Sequence, residues 1–139
     1  MFGFQGTNGT MSVTLRDWGR LGLMLLDGGT AVGEQVIPAA WLARLRERRP
    51  ELIKAYTDTY GVDPDLPDSC YHDQWWISDP TAGIYSASGA NGQVLTMHHP
   101  SNTVVATFSS FPGWLQDDEF DHLWAQQMAL VNAVRATGA

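Results

Sequence analysis

Tyr85-Ser-Ala-Ser-Gly-Ala-Asn-Gly-Gln93 runs into VLTMHHP (residues 94–100) and then NTVVATFSSFP (residues 102–112). The apolar alternation on both sides of a glycine-bearing turn reads as strands, because period-two spacing presents one face to a core. Gly89-Ala-Asn-Gly92 supplies the turn, and Ser86 and Ser88 stand just before it. A sheet edge built this way can offer backbone N–H groups and short polar side chains to a ligand.

Working outward, Gln74–Ile77 reads as a first strand and Asp79-Pro80 as a turn. Ile84–Ser88, Gln93–His98 and Thr103–Ser109 read as three more, the last separated from the third by Pro100-Ser101-Asn102. Connections this short imply antiparallel neighbours. Upstream, Thr14 is placed to cap a helix over residues 15–27, with Asp17 three residues on. Leu15, Trp18, Leu21, Leu25 and Leu26 keep helical spacing, and Gly28-Gly29 supplies the stop. Pro38 suits the first position of a second helix, which Pro50 is expected to close. Residues 50–73, rich in Pro and Asp, read as an irregular surface excursion with one helical turn near Leu52–Tyr56. Residues 1–13 read as a loop, and Pro112-Gly113 breaks the pattern again. Asp117, Asp118, Glu119 and Asp121 then open a last helix, with acids at its positive end. Phe120, Leu123, Trp124, Met128, Val131 and Val134 give it an apolar stripe, so it is expected to lie across one sheet face. The order predicts one α+β domain over residues 1–139: an antiparallel meander flanked by helices.

Composition narrows the classes of partner. The chain is 44% hydrophobic and 17% charged, which is globular rather than disordered. The net charge is −7, yet Arg44, Arg46, Arg48, Arg49 and Lys54 crowd into one segment. A nucleic-acid patch is one reading. The solvated end of a helix is the simpler one, given the acidic balance and no stacking platform nearby. Nucleic acid is therefore not expected as a partner. Cys70 is the single cysteine, so no internal disulfide forms, and Asp68 and Asp73 flank the Cys70–His72 pair against an activated thiolate. The N-terminal residues MFGFQGTNGT show neither a basic region nor a long apolar run, and no stretch approaches a membrane span. A cytoplasmic location without membrane attachment is the expectation.

Other constellations are weaker. Ser88 with His98 or His99 and an aspartate can be drawn as a triad, but no Gly-x-Ser-x-Gly elbow surrounds Ser88. Adjacent strand residues also face opposite ways, so only one of the two histidines can reach a given pocket. They read as surface histidines at a strand end. His72-Asp73 and His98-His99 lack metal-ligand spacing, and the acids of the last helix are explained by its dipole, so no metal is expected. GANGQ lacks the lysine of a phosphate loop, and no cofactor is expected. Trp75 and Trp76 must split across the two faces of their strand. One reading puts Trp76 in a cleft beside the Gly-rich turn; the other buries both under separate helices.

Four segments in order carry a resemblance: GTMSVTLRDWGRLGLMLLDGG (9–29), QVIPAAWL (35–42), QWWI (74–77) and YSASGANGQVLTMHHPSNTVVATFSS (85–110). They resemble the C-terminal part of the β-lactamase-related serine hydrolases, most of all the branch of 6-aminohexanoate-dimer hydrolases and related esterases. The resemblance covers about residues 6–135. It implies a penicillin-recognising enzyme fold and acyl transfer through a covalent acyl-enzyme. Family members carry a Ser-x-x-Lys motif, a Tyr-x-Asn motif and a Lys/His-Thr/Ser-Gly motif on a strand lining the site. Ala87-Ser88-Gly89 occupies the place of the third. The resemblance thus implies that the Ala90 N–H is an oxyanion donor and that Ser88 Oγ faces the substrate. Gly89 and Gly92 permit close backbone approach, while Asn91 and Gln93 shape the turn. Ala87 stands where the stricter motif has a cation, which removes a recognised partner for a substrate carboxylate.

The other two motifs are absent. Lys54 is the single lysine and Glu51 stands three residues before it. Tyr56, Tyr60, Tyr71 and Tyr85 are followed two residues later by Asp, Val, Asp and Ala. In the family both motifs lie upstream of the matched region. The expectation is a C-terminal segment that contributes the oxyanion wall of an amide or ester hydrolase and is inactive alone. The alternative is a non-catalytic binding module, which self-associates as a homodimer through an exposed sheet edge or pairs with a partner carrying the missing motifs.

Overall fold

A computed structural model describes residues 12–111 and 117–137. The chain runs α1 (Leu15–Leu26), β1 (Thr30–Ala31), β2 (Glu34–Gln35), α2 (Ala39–Leu45) and α3 (Pro50–Tyr60). It continues through β3 (Cys70–His72), β4 (Trp75–Asp79), β5 (Ile84–Gly89), β6 (Gln93–His98), β7 (Thr103–Thr107) and α4 (Asp117–Ala136). β3 to β7 form one five-stranded antiparallel sheet in sequence order. This is the expected α+β meander flanked by helices. No helix among the described residues is long and apolar enough to cross a membrane.

Local chemistry sets the ends of α1. The Asp17 N–H donates to Thr14 Oγ1 at 3.2 Å. The Asp17 carboxylate accepts the Thr14 hydroxyl at 2.8 Å, instead of returning to the cap's backbone as in the usual box. At the other end Gly28 and Gly29 take φ of +67° and +82°, and the Gly29 N–H donates to Met24 O at 2.8 Å.

The sheet separates two layers. Ile77, Tyr85, Leu95 and Met97 point to one face and are almost fully buried with Leu25 of α1 and Leu42 and Leu45 of α2. Trp76, Ser86, Ser88, Val94 and Thr96 alternate onto the other face, which α4 covers with Leu123, Gln127 and Val131. Gln127 sits in the apolar stripe yet is 1% exposed. Its Oε1 accepts the Thr96 hydroxyl, and its Nε2 donates to Thr107 Oγ1 at 3.2 Å. The side chain therefore ties α4 to two strands by satisfied bonds, which fixes the helix's position more sharply than apolar contact alone.

Several sequence expectations are corrected. Pro50 does not close a helix. It opens α3, an eleven-residue helix, as proline can at a first helical position, so residues 50–60 are not an excursion. Pro38 is the cap residue of α2 rather than its first helical residue. β3 lies inside the segment read as irregular, and the β1–β2 hairpin was not signalled. β4 begins at Trp75 rather than Gln74, which has φ of +69°. β7 ends at Thr107, two residues early. His98 is 6% exposed and His99 is half-buried, so they are not surface histidines. Most of the loop read at residues 1–13, and the break at Pro112-Gly113, lie outside the described residues. Four of the five basic side chains in the segment are paired: Arg44 with Asp73, Arg48 with Asp68, Arg49 with Glu51 and Lys54 with Asp58.

Two stability measurements check this packing. Gln127→Leu orphans the buried Thr96 hydroxyl and is expected to cost about 2 kcal/mol by urea denaturation. Adding Thr96→Val should return part of that loss. At Gly22 of α1 an added Cβ collides with Val104 Cγ1 and comes within 3.1 Å of Leu95 Cδ1. Alanine gains about 1 kcal/mol of helix propensity, but overpacking a stiff β-branched neighbour costs about 1–3 kcal/mol. Gly22→Ala is therefore expected to destabilise, and Gly22→Ala with Val104→Ala should cost less than the sum of the two.

Candidate active site

β5 brings the Gly-rich turn to the surface, and its pairing decides what is exposed there. β6 runs beside all of it, from Ile84 opposite His98 to Gly89 opposite Gln93. β4 pairs only as far as Trp76 opposite Ser86. Ala87, Ser88 and Gly89 therefore have a strand on one side and an open edge on the other. An open edge leaves backbone groups available to whatever docks there.

The turn itself is a short 3-10 turn over Ala90–Gly92, with Ala90 exposed. Asn91 takes φ of +60°, an orientation asparagine tolerates better than most residues. Gly92 is buried with φ of +83°, and a Cβ there would lie 2.6 Å from Phe111 Cζ. The close backbone approach at Gly92 is thus to Phe111. The Gln93 side chain is also turned inward and donates to Ser109 O at 3.2 Å. Gly89 has φ of −112°, and its nearest neighbours to an added Cβ are at 3.5 Å, so neither conformation nor crowding demands glycine there.

A cleft of about 540 Å³ opens beside this edge, between β4 and β5 and the first turns of α4. Trp76, Ser86, Ser88, Gly89 and Ala90 form its sheet side. Phe120, Asp121, Leu123 and Trp124 form its helix side, Val94 and Gln127 lie between, and Tyr60 joins from α3. The structure thus brings Trp76, Ser88, Gly89 and Ala90 together. It places Ala87 on the opposite face with the core, and Asn91, Gly92 and Gln93 outside the cleft lining.

The two tryptophans do split across the strand. Trp75 is 9% exposed and meets Tyr85 edge-on, with centroids 5.5 Å apart. Trp76 lies against Tyr71 at 4.8 Å and Tyr60 at 5.8 Å, and Tyr60 in turn against Tyr56 at 4.9 Å. Sequence reading missed Tyr60 because α3 was missed. It assigned Phe120, Leu123 and Trp124 to the stripe under α4 without seeing that the helix's first turns overhang the strand edge. The i,i+4 spacing of Phe120 and Trp124 is the signal that was available.

The nucleophile question is answered by register. Ser88 stands opposite Val94, and His98 lies four residues further along β6, roughly 13 Å at strand rise. His98 Nδ1 is engaged with Ser101 Oγ at 2.8 Å and His99 Nε2 with the Tyr85 hydroxyl at 3.2 Å. Burial lowers the pKa of both imidazoles, helped for His99 by Arg46, which favours the neutral rings. Among the described residues no triad assembles around Ser88 with His98 or His99. Burial pushes the Cys70 thiol up, and pushes the Tyr85 phenol up to about 12, so neither is an activated nucleophile. Among the described residues no three His, Cys, Asp or Glu side chains converge as metal ligands.

Comparisons with known proteins agree on one relationship. No family model matches the chain. A 6-aminohexanoate-dimer hydrolase of Paenarthrobacter ureafaciens is 34% identical over 110 residues, which is 79% of this chain and 27% of that protein. A solved Bacillus anthracis structure provisionally given the same name superposes with a TM-score of 0.67 at 23% identity. It covers 89% of this chain and 30% of that one, and gives the fold as β-lactamase-like. The chain spans less than a third of the length of these relatives. Over those 110 residues the chain is related to the 6-aminohexanoate-dimer hydrolases and is consistent with the C-terminal part of that family.

Proposed function

We propose that this chain supplies the sheet wall and the backbone oxyanion donor of a β-lactamase-related serine hydrolase acting on a small amide or ester. The observation that carries the reading is the edge at Ala87–Gly89, open among the described residues because β4 starts pairing only at Trp76, and followed by the exposed Ala90. Negative charge gathers on the carbonyl oxygen as an acyl group is attacked, and a fixed N–H stabilises it by roughly 3–4 kcal/mol. Ser88, one residue before Gly89, is exposed on the cleft side and makes no hydrogen bond among the described residues. It is free to contact substrate, and no histidine or lysine lines the cleft with it among the described residues. The attacking group and its base therefore come from chain outside these residues.

The site has no cation at Ala87, and no Lys, Arg or His lines the cleft among the described residues. That composition favours substrates recognised by apolar contact over those anchored by a carboxylate. The relatives are hydrolases of the 6-aminohexanoate dimer, which supports an amide as the substrate class.

Two measurements test this. The chain alone is expected to hydrolyse p-nitrophenyl esters and a chromogenic cephalosporin no faster than buffer, and Ser88-dependent turnover would overturn the reading. In a longer protein that joins this segment to a Ser-x-x-Lys motif, Ala90→Pro removes the amide hydrogen. It should lower kcat about 100- to 1,000-fold, with Ala90→Gly near the parent rate.

A second reading, a non-catalytic module that self-associates, is supported by the lack of both upstream motifs and by the unpaired outer side of β7. Size-exclusion chromatography with light scattering separates the two, since a concentration-independent monomer speaks against self-association.

A further inference from the structure

β3 and β7 are the two ends of the sheet, and among the described residues nothing pairs with the outer side of β7. Natural edge strands carry a lysine, a proline or a bulge, or are kept short, because a bare edge recruits other strands. β7 reads Thr103-Val-Val-Ala-Thr107, an uncharged strand in unbroken register with β6. The opposite edge, β3, is three residues long, and α3 packs against it. α1 lies over β7 and β6, with Gly22 against Val104 and Leu95. Around the helix, at about 100° per residue, Leu25 lies on one side of Gly22, toward the core, and Leu15, Gly19 and Leu23 lie on the other. That flank therefore faces out past β7. It is apolar and uncovered: Leu15 is 48% exposed, Leu23 is 58% exposed, and a Cβ at Gly19 would meet nothing within 4 Å.

We propose that β7 pairs antiparallel with β7 of a second copy of this chain, about a twofold axis at Val105, with α1 packed on its mate over the seam. The strand is nearly palindromic, so self-pairing sets Thr103 opposite Thr107, Val104 opposite Ala106 and Val105 opposite itself. Hydroxyl and β-branched pairs of this kind favour antiparallel strands, and no like charges meet. The helix spacing fits as well. Because α1 straddles β6 and β7, the two α1 axes stand about two strand spacings apart, roughly 9.6 Å, which is within the range of packed helices. So does the level along the strand. Gly22 lies over Val104 and Leu23 shares a groove with Asn102, so α1 runs antiparallel to β7. Three residues back, about 4.5 Å by helix rise, Gly19 comes level with the Val105–Ala106 stretch and so stands beside the axis. The residue with no side chain falls where the two helices come closest. This pairing rests on the self-association reading above and gives it a surface. It leaves the open edge of β5 free.

Analytical ultracentrifugation of the 139-residue chain tests the pairing. The expected species is a dimer that dissociates across about a hundredfold dilution. Gly19→Glu and Gly19→Lys should both stay folded by circular dichroism, because the position is open in the single chain and either residue forms helix better than glycine. Each should sediment as a monomer, with association at least about 100-fold weaker, since two like charges then meet at the axis. Mixed in equal amounts, the two variants should recover a dimer. With a helix radius of about 2.3 Å, the paired Gly19 Cα atoms stand roughly 5 Å apart, a span that a disulfide bridges. Gly19→Cys should therefore cross-link the two chains on oxidation, whereas Lys54→Cys, on exposed α3, should not. A chain that is monomeric at every concentration overturns both the pairing and the self-association reading. A dimer that the Glu and Lys variants each retain overturns the pairing and leaves self-association through another surface. Neither result touches the hydrolysis measurements, which depend on Ala90.

Discussion

β4 pairs with β5 only from Trp76 onward, and the open edge beside Ala87–Gly89 depends on that late start. If β4 began earlier, its preceding residues would satisfy the backbone of Ala87–Gly89 and fill the space where the cleft opens. The chain sets that start with a tight turn before Trp75, where Asp73 and Gln74 hold φ of +50° and +69°. Those values are uncommon outside glycine and end the regular pleat. The edge is thus kept open by local backbone geometry rather than by any ligand.

The second requirement is that α4 stay where it is. Strand alternation puts Ile77, Tyr85 and Met97 into one core and leaves Ser86, Ser88, Val94 and Thr96 for the other side. That side is too polar to hold a helix by burial alone. Gln127, with Thr96 and Thr107, supplies directional bonds in an otherwise dry interface. A polar group so placed is costly unless fully satisfied, and here it specifies one position of α4 along the sheet. The cleft is then walled on its far side by Phe120 and Trp124.

Much of this was legible from residues. Tyr85–Thr107 announced three strands and two tight connections through alternation and through Gly and Pro punctuation. Gly28-Gly29 ended α1 where the spacing said it should. What failed had physical causes. Pro50 marks helix starts as readily as it follows helix ends, and α3 contains Tyr56, Thr57, Thr59 and Tyr60, all weak helix formers. β3 is three residues long and bounded by a turn without glycine, so it carried no period and no punctuation. The site was half visible. The strand side of the cleft could be read because Ser88, Gly89 and Ala90 are adjacent in sequence. The helix wall could not, since its distance from β5 is set by Gln127, a polar residue inside an apolar stripe.

The serial order of β3 to β7 has one more consequence. Three residues, Ala90–Gly92, separate β5 from β6, and four, 99–102, separate β6 from β7. Closing loops that small removes little chain entropy, and pairings between immediate neighbours in sequence lower the contact order on which folding speed depends. The meander can therefore zip up hairpin by hairpin as the chain emerges from the ribosome, with the terminal helix docking afterwards. The turn between β5 and β6 made in this way is held by pairing with its immediate sequence neighbours.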